Sequence, residues 1–356
     1  MNIRERTLAA IKGSEPDVIP CLIYSNLLPR GYLERKLRNK GLGLTIGANV
    51  YKTTTPNVSV EEKRVGDFLY RKFRTPIGEV SEKVRINLKK GTGGQWRVEW
   101  MIKKPEDYEV VKFIVEDVVY EPSYDDFLDA QKELGDDGVV FAWVGYTPLM
   151  QVIVQFMGYK KFAVELYRNR EKIEDLMALI DKRLEEICHI VAESPAEIIK
   201  VGDNTDSMLI SPKLFKEYCL PYFQKYSRIL HSKGKIVMSH MDGRLKILKD
   251  WIAKTGLDMV EAFTPPPGGD LPISEARKSW GDEMAIWINI PEVMFLYERK
   301  RIEEYVISLL KEMAPGKRVL FGITEDIPES RFEALDVFIS TVQKYGKYPF
   351  PAREKF

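Results

Sequence analysis

Residues 235–243 read KIVMSHMDG, an apolar run that stops at a histidine and is followed by a glycine turn. Similar apolar runs flank it along the chain: IIKV at 198–201, DMVEAF at 258–263, AIWIN at 285–289 and VLFG at 319–322. Segments with helical spacing of apolar residues lie between these runs. Strands without an alternating polar face are typical of parallel strands buried on both sides, so the pattern predicts an α/β fold.

Three further apolar runs upstream complete the pattern, at residues 20–24, 44–50 and 139–144. Eight strands separated by helices predict a (β/α)8 TIM barrel, and the length of 356 residues is ordinary for one such domain. A doubly wound open sheet is the alternative, but no GxGxxG follows the first strand. We therefore expect a single TIM-barrel domain over 1–356.

Residues 53–117 depart from the strand–helix pattern. The stretches FLYRKFRTPIGEVSEKVRI and QWRVEWMIKK, joined by KKGTGGQ, predict antiparallel hairpins with a glycine-rich turn. This β-rich insertion follows the second strand, so we expect it at the C-terminal face of the barrel, where barrel enzymes place their sites. It could form a lid or substrate wall, and the alternatives are a decorative hairpin or a dimer contact. The oligomeric state is left open, with a homodimer as one arrangement.

Composition excludes several classes of protein. Lys+Arg number 54 and Asp+Glu 53, so the net charge of +1 does not favour nucleic acid or an anionic membrane. The cysteines Cys21, Cys188 and Cys219 have unrelated spacings, which excludes a disulfide framework and favours a cytoplasmic location. The N-terminus lacks the apolar core of a signal peptide. Residues 139–159 carry no charge, but glycine, proline and glutamine interrupt them, so we predict a strand, a loop and a helix and no membrane span.

Polar residues stand at the predicted carboxyl ends of the strands, where barrel enzymes collect their functional groups. They are Asp203, Asn204, His240, Asp242, Glu261, Asn289 and Glu325. This convergence predicts an active site at that rim but does not specify a reaction.

The His240-Met-Asp242-Gly243 step is the sharpest element of that set. Strand residues i and i+2 share a face, so His240 and Asp242 can point into one cavity. Glu325, at the end of the last strand, supplies a third ligand. One nitrogen and two oxygen ligands leave an open position, as in catalytic zinc sites. The alternative is a hydrogen-bonded pair at the rim. His189 and His231 lie in or near helices and are interpreted as surface or packing residues.

The chain resembles the uroporphyrinogen decarboxylase superfamily, whose members are (β/α)8 barrels and include corrinoid-dependent methyltransferases. The resemblance covers the whole barrel, above all residues 198–340. The segments that carry it are VGDNTDSMLISPKLFKEYCLPYFQKY, HSKGKIVMSHMDGRLKILKDWIAKTGLDMVEAF, WINIPE and LFGITEDIP.

In the methyltransferase branch, zinc is held by a His-x-Cys step and a cysteine near the C-terminus. The resemblance therefore implies a metal site at His240, Asp242 and Glu325, in which two carboxylates stand where the family has thiolates. It also implies cobalamin on a separate corrinoid protein as partner. Oxygen ligands leave zinc more electrophilic, which suits an O-methyl donor and O-demethylation. The alternative is that this site, which lacks the cysteines of the family, binds no metal.

Asp203, Asn204 and Asn289 would then orient a small methyl donor or acceptor or supply proton transfer. Glu261 would support the metal ligands or act as a general base. The runner-up is cofactor-free tetrapyrrole decarboxylation with Asp203 stabilising a pyrrole cation. True decarboxylases, however, carry an Arg-Gln-Ala-Gly-Arg core where this chain has Arg30 alone. A third hypothesis is a non-catalytic barrel that docks a corrinoid protein.

Overall fold

The computed structural model describes residues 1–88 and 94–350, which form a closed barrel with an antiparallel insertion. The strands in chain order are β1 (Cys21–Tyr24), β2 (Leu42–Gly47), β3 (Tyr51–Thr54), β4 (Ser59–Val65), β5 (Phe68–Thr75), β6 (Gly78–Arg85), β7 (Trp96–Glu99), β8 (Val119–Pro122), β9 (Gly138–Gly145), β10 (Ile198–Val201), β11 (Ile236–His240), β12 (Met259–Phe263), β13 (Ala285–Asn289) and β14 (Val319–Ile323).

The α-helices in chain order are α1 (Ile3–Lys12), α2 (Tyr32–Asn39), α3 (Asp107–Asp117), α4 (Asp125–Leu134), α5 (Pro148–Gln151), α6 (Tyr159–Arg168), α7 (Arg170–Glu193), α8 (Pro212–Tyr218), α9 (Leu220–His231), α10 (Lys249–Ile252), α11 (Ile273–Trp280), α12 (Arg299–Met313) and α13 (Ala334–Tyr345). Short 3₁₀ turns cover Ser25–Leu27, Glu292–Leu296 and Glu329–Arg331, and a π-helical turn covers Val152–Met157.

The barrel strands pair in parallel in the order β1-β14-β13-β12-β11-β10-β9-β2, and β2 returns to β1. The predicted (β/α)8 barrel is therefore confirmed. Alternate strand residues fill its interior, and Ala10 and Ile11 of α1 pack on the lower layer of that core. Because α1 covers this end, any cavity inside the barrel opens at the opposite end, where the strands finish.

One predicted helix is shorter than expected. The sequence pattern predicts a helix over 245–254, whereas α10 covers only Lys249–Ile252. The backbone N–H groups of Leu245 and Lys246 both donate to Asp270 Oδ1, at 2.8 and 3.0 Å. A carboxylate from a later loop thus satisfies the donors that a longer helix would have left free at its start.

The segment between β2 and β9 forms two antiparallel sheets. β3 pairs with β8, and β4, β5, β6 and β7 form a four-stranded meander. The predicted range 53–117 also contains α3, and the pairing with β8 continues beyond it. Most of the predicted glycine-rich turn, residues 89–93, lies outside the described residues. The division into one barrel domain with residues 53–117 as its insertion stays a prediction.

Candidate active site

Four polar side chains form a layer inside the barrel directly above its apolar core. They lie two residues beyond buried core residues of their strands: Tyr24 follows Leu22, Lys200 follows Ile198, His240 follows Met238 and Glu261 follows Met259. Residues i and i+2 of a strand share a face, so the same alternation that buries the core directs these groups inward. We call these four residues the mouth cluster.

A bulge in β12 accompanies Glu261. The pairing of β12 with β13 shifts register between Val260 and Phe263, and Ala262 has a φ of 61°. An alanine in the left-handed region is uncommon, and such strained positions cluster at functional sites. The bulge changes the direction of β12 at Ala262, the residue after Glu261.

Glu261 is the centre of the mouth cluster and is fully buried, with 0% exposure. Its Oε2 atom lies 2.7 Å from Lys200 Nζ and 2.9 Å from His240 Nδ1, and its Oε1 accepts a hydrogen bond from the Tyr24 hydroxyl. Lys200 Nζ also donates to the Tyr24 oxygen at 2.7 Å. A buried carboxylate with this many partners is satisfied, although removal of any one partner would be costly.

The charges of the cluster settle its protonation. Burial alone would raise the pKa of Glu261, but Lys200 and His240 hold that pKa well below its usual range. Burial, and then the negative charge of Glu261, raises the pKa of Tyr24 well above its usual range. Tyr24 is therefore a permanent phenol donor and Glu261 a permanent carboxylate near neutral pH.

His240 links the mouth cluster to two more carboxylates. Its Nε2 atom lies 3.5 Å from Asp242 Oδ2, and one ligand atom from each of His240, Asp242 and Glu325 falls within 4.8 Å of the others. We call these three residues the ligand triad. The structure thus brings together the three residues predicted as metal ligands, whose function as ligands stays a prediction.

The electrostatics of the ligand triad fit a divalent cation. Burial raises the pKa of Glu325, and the nearby carboxylate of Asp242 raises it further, to about 7. Burial alone would lower the pKa of His240, but Glu261 and Asp242 raise it to about 9. A metal ion at this point would relieve the carboxylate repulsion and replace the proton on Nε2. The Nδ1 side is held by Glu261, the carboxylate–histidine arrangement usual behind metal ligands.

A cavity of about 410 Å³ lies beside the mouth cluster at the carboxyl ends of the strands. Its described lining includes four aromatic rings, two basic groups, two amides and two aliphatic hydroxyls: Tyr24, Phe141, Trp143, Tyr146, Lys200, His240, Asn26, Asn204, Ser25 and Thr45. Of the three residues predicted to orient a substrate, Asp203, Asn204 and Asn289, the described lining includes Asn204. The volume is within the range of small-molecule sites, and a lining that combines aromatic rings with polar groups is typical of them.

Asp203 and Asn289 lie elsewhere, with their polar atoms bound inside the protein. Asp203 has 0% exposure and accepts hydrogen bonds from the backbone N–H and the hydroxyl of Thr147. Burial raises the pKa of Asp203 to about 6 despite these bonds. Asn289 accepts from Thr324 N–H at 3.1 Å and donates to Thr264 at 3.2 Å. Asn289 therefore holds the backbone next to Glu325.

Sequence reasoning missed Lys200 and Tyr24. Lys200 is 2% exposed and is the one charged residue in the four-residue run IIKV. A lysine two residues after a core isoleucine in a strand buried on both sides has to face the barrel interior, and that signal was available. Tyr24 gave a weaker signal, because a tyrosine at a strand end is ordinary.

Comparison with known proteins places the chain in a family. The family model for uroporphyrinogen decarboxylase (URO-D) matches residues 93–345, well over half of the chain, so the protein belongs to the uroporphyrinogen decarboxylase family. The resemblance noted in the sequence is thereby confirmed.

Individual relatives are distant. A uroporphyrinogen decarboxylase of Idiomarina loihiensis is 24% identical over 50% of this chain and 52% of its own length. A uroporphyrinogen decarboxylase of Myxococcus xanthus is 26% identical over 43% of this chain and 42% of its own length. The matches thus span about half the length of these relatives. A solved methyltransferase from Methanosarcina mazei has a TM-score of 0.57 at 13% identity, over 97% of this chain and 99% of its own, and shows the shared fold.

Among the residues that the structure describes, we find no helix with the length and hydrophobicity of a bilayer-spanning segment. The uncharged stretch 139–159 forms β9, α5 and the π-helical turn, as predicted. The three cysteines are free and buried.

Proposed function

We propose that this protein is a metal-dependent methyltransferase that moves a methyl group between a small substrate and cobalamin on a separate corrinoid protein. The observation that carries the proposal is the ligand triad, with His240 backed by the fully buried Glu261. One nitrogen and two oxygen atoms at the open end of a barrel suit a catalytic zinc ion with a free coordination position. The cytosol is the compartment that we expect for it.

The oxygen-rich ligand set indicates the kind of methyl donor. Carboxylates donate less charge to zinc than thiolates do, so the bound ion would act as a Lewis acid on an ether or alcohol oxygen. The proposed reaction is therefore demethylation of an O-methyl compound or its reverse.

The protein's own residues have distinct tasks in this proposal. Glu261 accepts from His240 Nδ1 and so fixes the ring with Nε2 towards Asp242 and Glu325. Asn204 orients the substrate from the cavity wall. Asn289 holds the backbone at Thr324, and the Asp203 N–H donates to Ser239 Oγ at 3.2 Å, next to His240. Asn289 and Asp203 are thus positioning residues rather than groups that touch substrate.

Tetrapyrrole decarboxylation is the second hypothesis, because the curated relatives carry that name. Two features of the cavity disfavour it. The volume of about 410 Å³ suits a small molecule, and the basic groups in its described lining are Lys200 and His240. A substrate with many carboxylates would require several fixed guanidinium groups. Asp203, proposed to stabilise a pyrrole cation, is closed off by Thr147.

Zinc analysis of the purified protein separates the hypotheses. We expect near-stoichiometric zinc in the wild type, lost in His240→Ala by a factor of at least 10–100 in affinity. The matched control is His231→Ala, since His231 pairs with Asp258 outside the site. Metal-free protein that converts uroporphyrinogen would favour the decarboxylase. Metal-free protein without that activity would favour the third hypothesis, a non-catalytic barrel that docks a corrinoid protein.

Asp242→Cys tests the argument from ligand hardness. Thiolate is a good zinc ligand, so the variant should bind zinc at least as tightly as the wild type. It should nevertheless demethylate an ether more slowly, because the metal becomes less electrophilic. Equal or faster turnover at full zinc loading would contradict the proposal of an O-methyl donor.

A further inference from the structure

Lys200 is surrounded by aromatic rings as well as by its hydrogen-bond partners. Its Nζ lies 4.8 Å from the centre of the Trp143 ring, 5.2 Å from that of Tyr24 and 5.4 Å from that of Phe141. All three distances are within the range of cation–π contacts. We call Tyr24, Phe141 and Trp143 the aromatic cage.

The aromatic cage belongs to the cavity, because its three residues and Lys200 all line it. Proteins use cages of this kind to bind quaternary ammonium ligands, whose positive charge is attracted to the ring faces. In this protein the cation inside the cage is part of the chain. The rings alone would suggest a site for a methylammonium ligand. The ammonium group of Lys200 already lies among them, which indicates that a cationic ligand is excluded.

We propose that Lys200 is a specificity-determining residue, an internal cation that occupies the aromatic cage and restricts the cavity to neutral or anionic methyl compounds. This proposal deepens the proposed function, on which it rests only in treating the ligand as a methyl donor or acceptor.

Two features of charge support the exclusion of cations. An ammonium ligand in the cavity would lie close to Lys200 and be repelled by it. Glu261 pairs with Lys200 at 2.7 Å but does not line the cavity, so a ligand there would meet the ammonium of Lys200 before that carboxylate. Among the described residues that line the cavity, none is an aspartate or glutamate. A cationic ligand would therefore lose its hydration without touching a carboxylate of the lining; the nearest further carboxylates, Asp242 and Glu325, belong to the ligand triad, where a bound metal ion would neutralise them.

The test uses two probes of the same shape. Choline and 3,3-dimethylbutan-1-ol differ in that a quaternary nitrogen replaces a quaternary carbon, so their affinities isolate the effect of charge. Binding is measured by calorimetry on the full chain as purified and again in Asp242→Asn/Glu325→Gln, in which the ligand triad carries no carboxylate charge. In the wild type we expect the neutral alcohol to bind at least about fivefold more tightly than choline. Tighter binding of choline, or binding of neither probe, would overturn the proposal.

Lys200→Ala should reverse the preference. The variant empties the aromatic cage and leaves the Glu261 carboxylate beneath it, so the affinity for choline should rise about tenfold and exceed that for the alcohol. In the double variant Lys200→Ala/Glu261→Gln, which keeps the space without the charge, the gain should be smaller. Lys235→Ala is the matched control, because Lys235 binds the Ser194 carbonyl outside the cavity. An unchanged preference in Lys200→Ala would overturn the proposal.

The two proposals can fail separately. The wild-type comparison decides the present one even if Lys200→Ala does not fold. A preference for the neutral probe without any zinc-dependent methyl transfer would refute the proposed function and leave the ligand class intact. Zinc-dependent demethylation of a quaternary ammonium compound would refute the ligand class and leave methyl transfer intact.

Discussion

Glu261 in the barrel and Glu82 in the inserted sheet are both buried glutamates, at 0% and 2% exposure, and both are shared between two cationic side chains. Glu82 lies 3.1 Å from Arg71 Nη1 and 2.5 Å from Arg97 Nε. The partners of Glu82 are each about a quarter exposed, whereas Lys200 is 2% exposed. Glu82 thus has two partners that water reaches, whereas Glu261 has one fully desolvated partner, Lys200, and one that is 16% exposed, His240.

The difference indicates which of the two networks is tied to function. Arg71 also pairs with Glu62, so the insertion has an ordinary surface network that ends at the Glu82 carboxylate. The partners of Glu261 line a cavity and lead through His240 to the ligand triad. A buried charge network that opens onto a cavity is costly to maintain, and such networks are concentrated at functional sites.

The largest expected effect is on stability. Glu261→Gln leaves the Lys200 ammonium buried without its counter-charge, so we expect a loss of about 3–5 kcal/mol in the free energy of unfolding. Glu82→Gln should cost less, about 1–2 kcal/mol, because water reaches Arg71 and Arg97. Urea denaturation of both variants measures the difference. Equal losses would show that the two networks do not differ in desolvation.

Asp203 provides a third buried carboxylate for the comparison, bonded to Thr147. Burial raises the pKa of Asp203 from 3.8 to about 6 in the folded state. The stabilisation from its bound proton is therefore complete below about pH 3.8 and is lost as the pH rises through 6. The free energy of unfolding of Asp203→Asn, measured relative to wild type, should rise by roughly 2–3 kcal/mol between pH 4 and 7. A difference that does not change with pH would contradict this assignment.

Zinc affinity separates the two glutamates by function. Glu261→Gln should lower the affinity by 10–100-fold, because the carboxylate behind His240 orients and polarises the ring. Glu82→Gln should leave zinc binding unchanged, and it is the matched control for the same chemical change. Competition with a chromogenic chelator gives both affinities. A similar effect of the two substitutions would mean that Glu261 does not support a metal ligand.

The smallest effect is expected on the outer face of the inserted sheet. Trp96 is 66% exposed and Tyr70 is 39% exposed, whereas Trp100 binds the Val154 carbonyl and is held in place. If this face contacts the corrinoid protein, changing Trp96 and Tyr70 to serine should weaken that binding about tenfold without loss of zinc. Tyr167→Ser, on exposed α6, is the control. Unaltered binding in calorimetry would place the partner elsewhere.

The barrel could be predicted because its signals are local. Buried parallel strands form short apolar runs, and IIKV, IVMSH and AIWIN coincide with β10, β11 and β13 to the residue. The positions of His240, Asp242 and Glu325 followed from the same logic, since strand ends of a barrel meet at one rim. The helix predicted over 245–254 covers only Lys249–Ile252, because residues 245–248 form a separate turn that the pattern of apolar residues does not distinguish from a first helical turn.

The sequence by itself determined the fold, the family and the rim at which polar groups collect, because periodicity and strand-end position depend on neighbours along the chain. The tertiary structure alone decided which of those groups face the cavity. It enclosed Asp203 with Thr147, set Asn289 behind Glu325, and placed Lys200 between Glu261 and three aromatic rings. Each of these outcomes depends on side chains from different strands or loops, and a pattern read along the chain does not record which of those side chains come into contact.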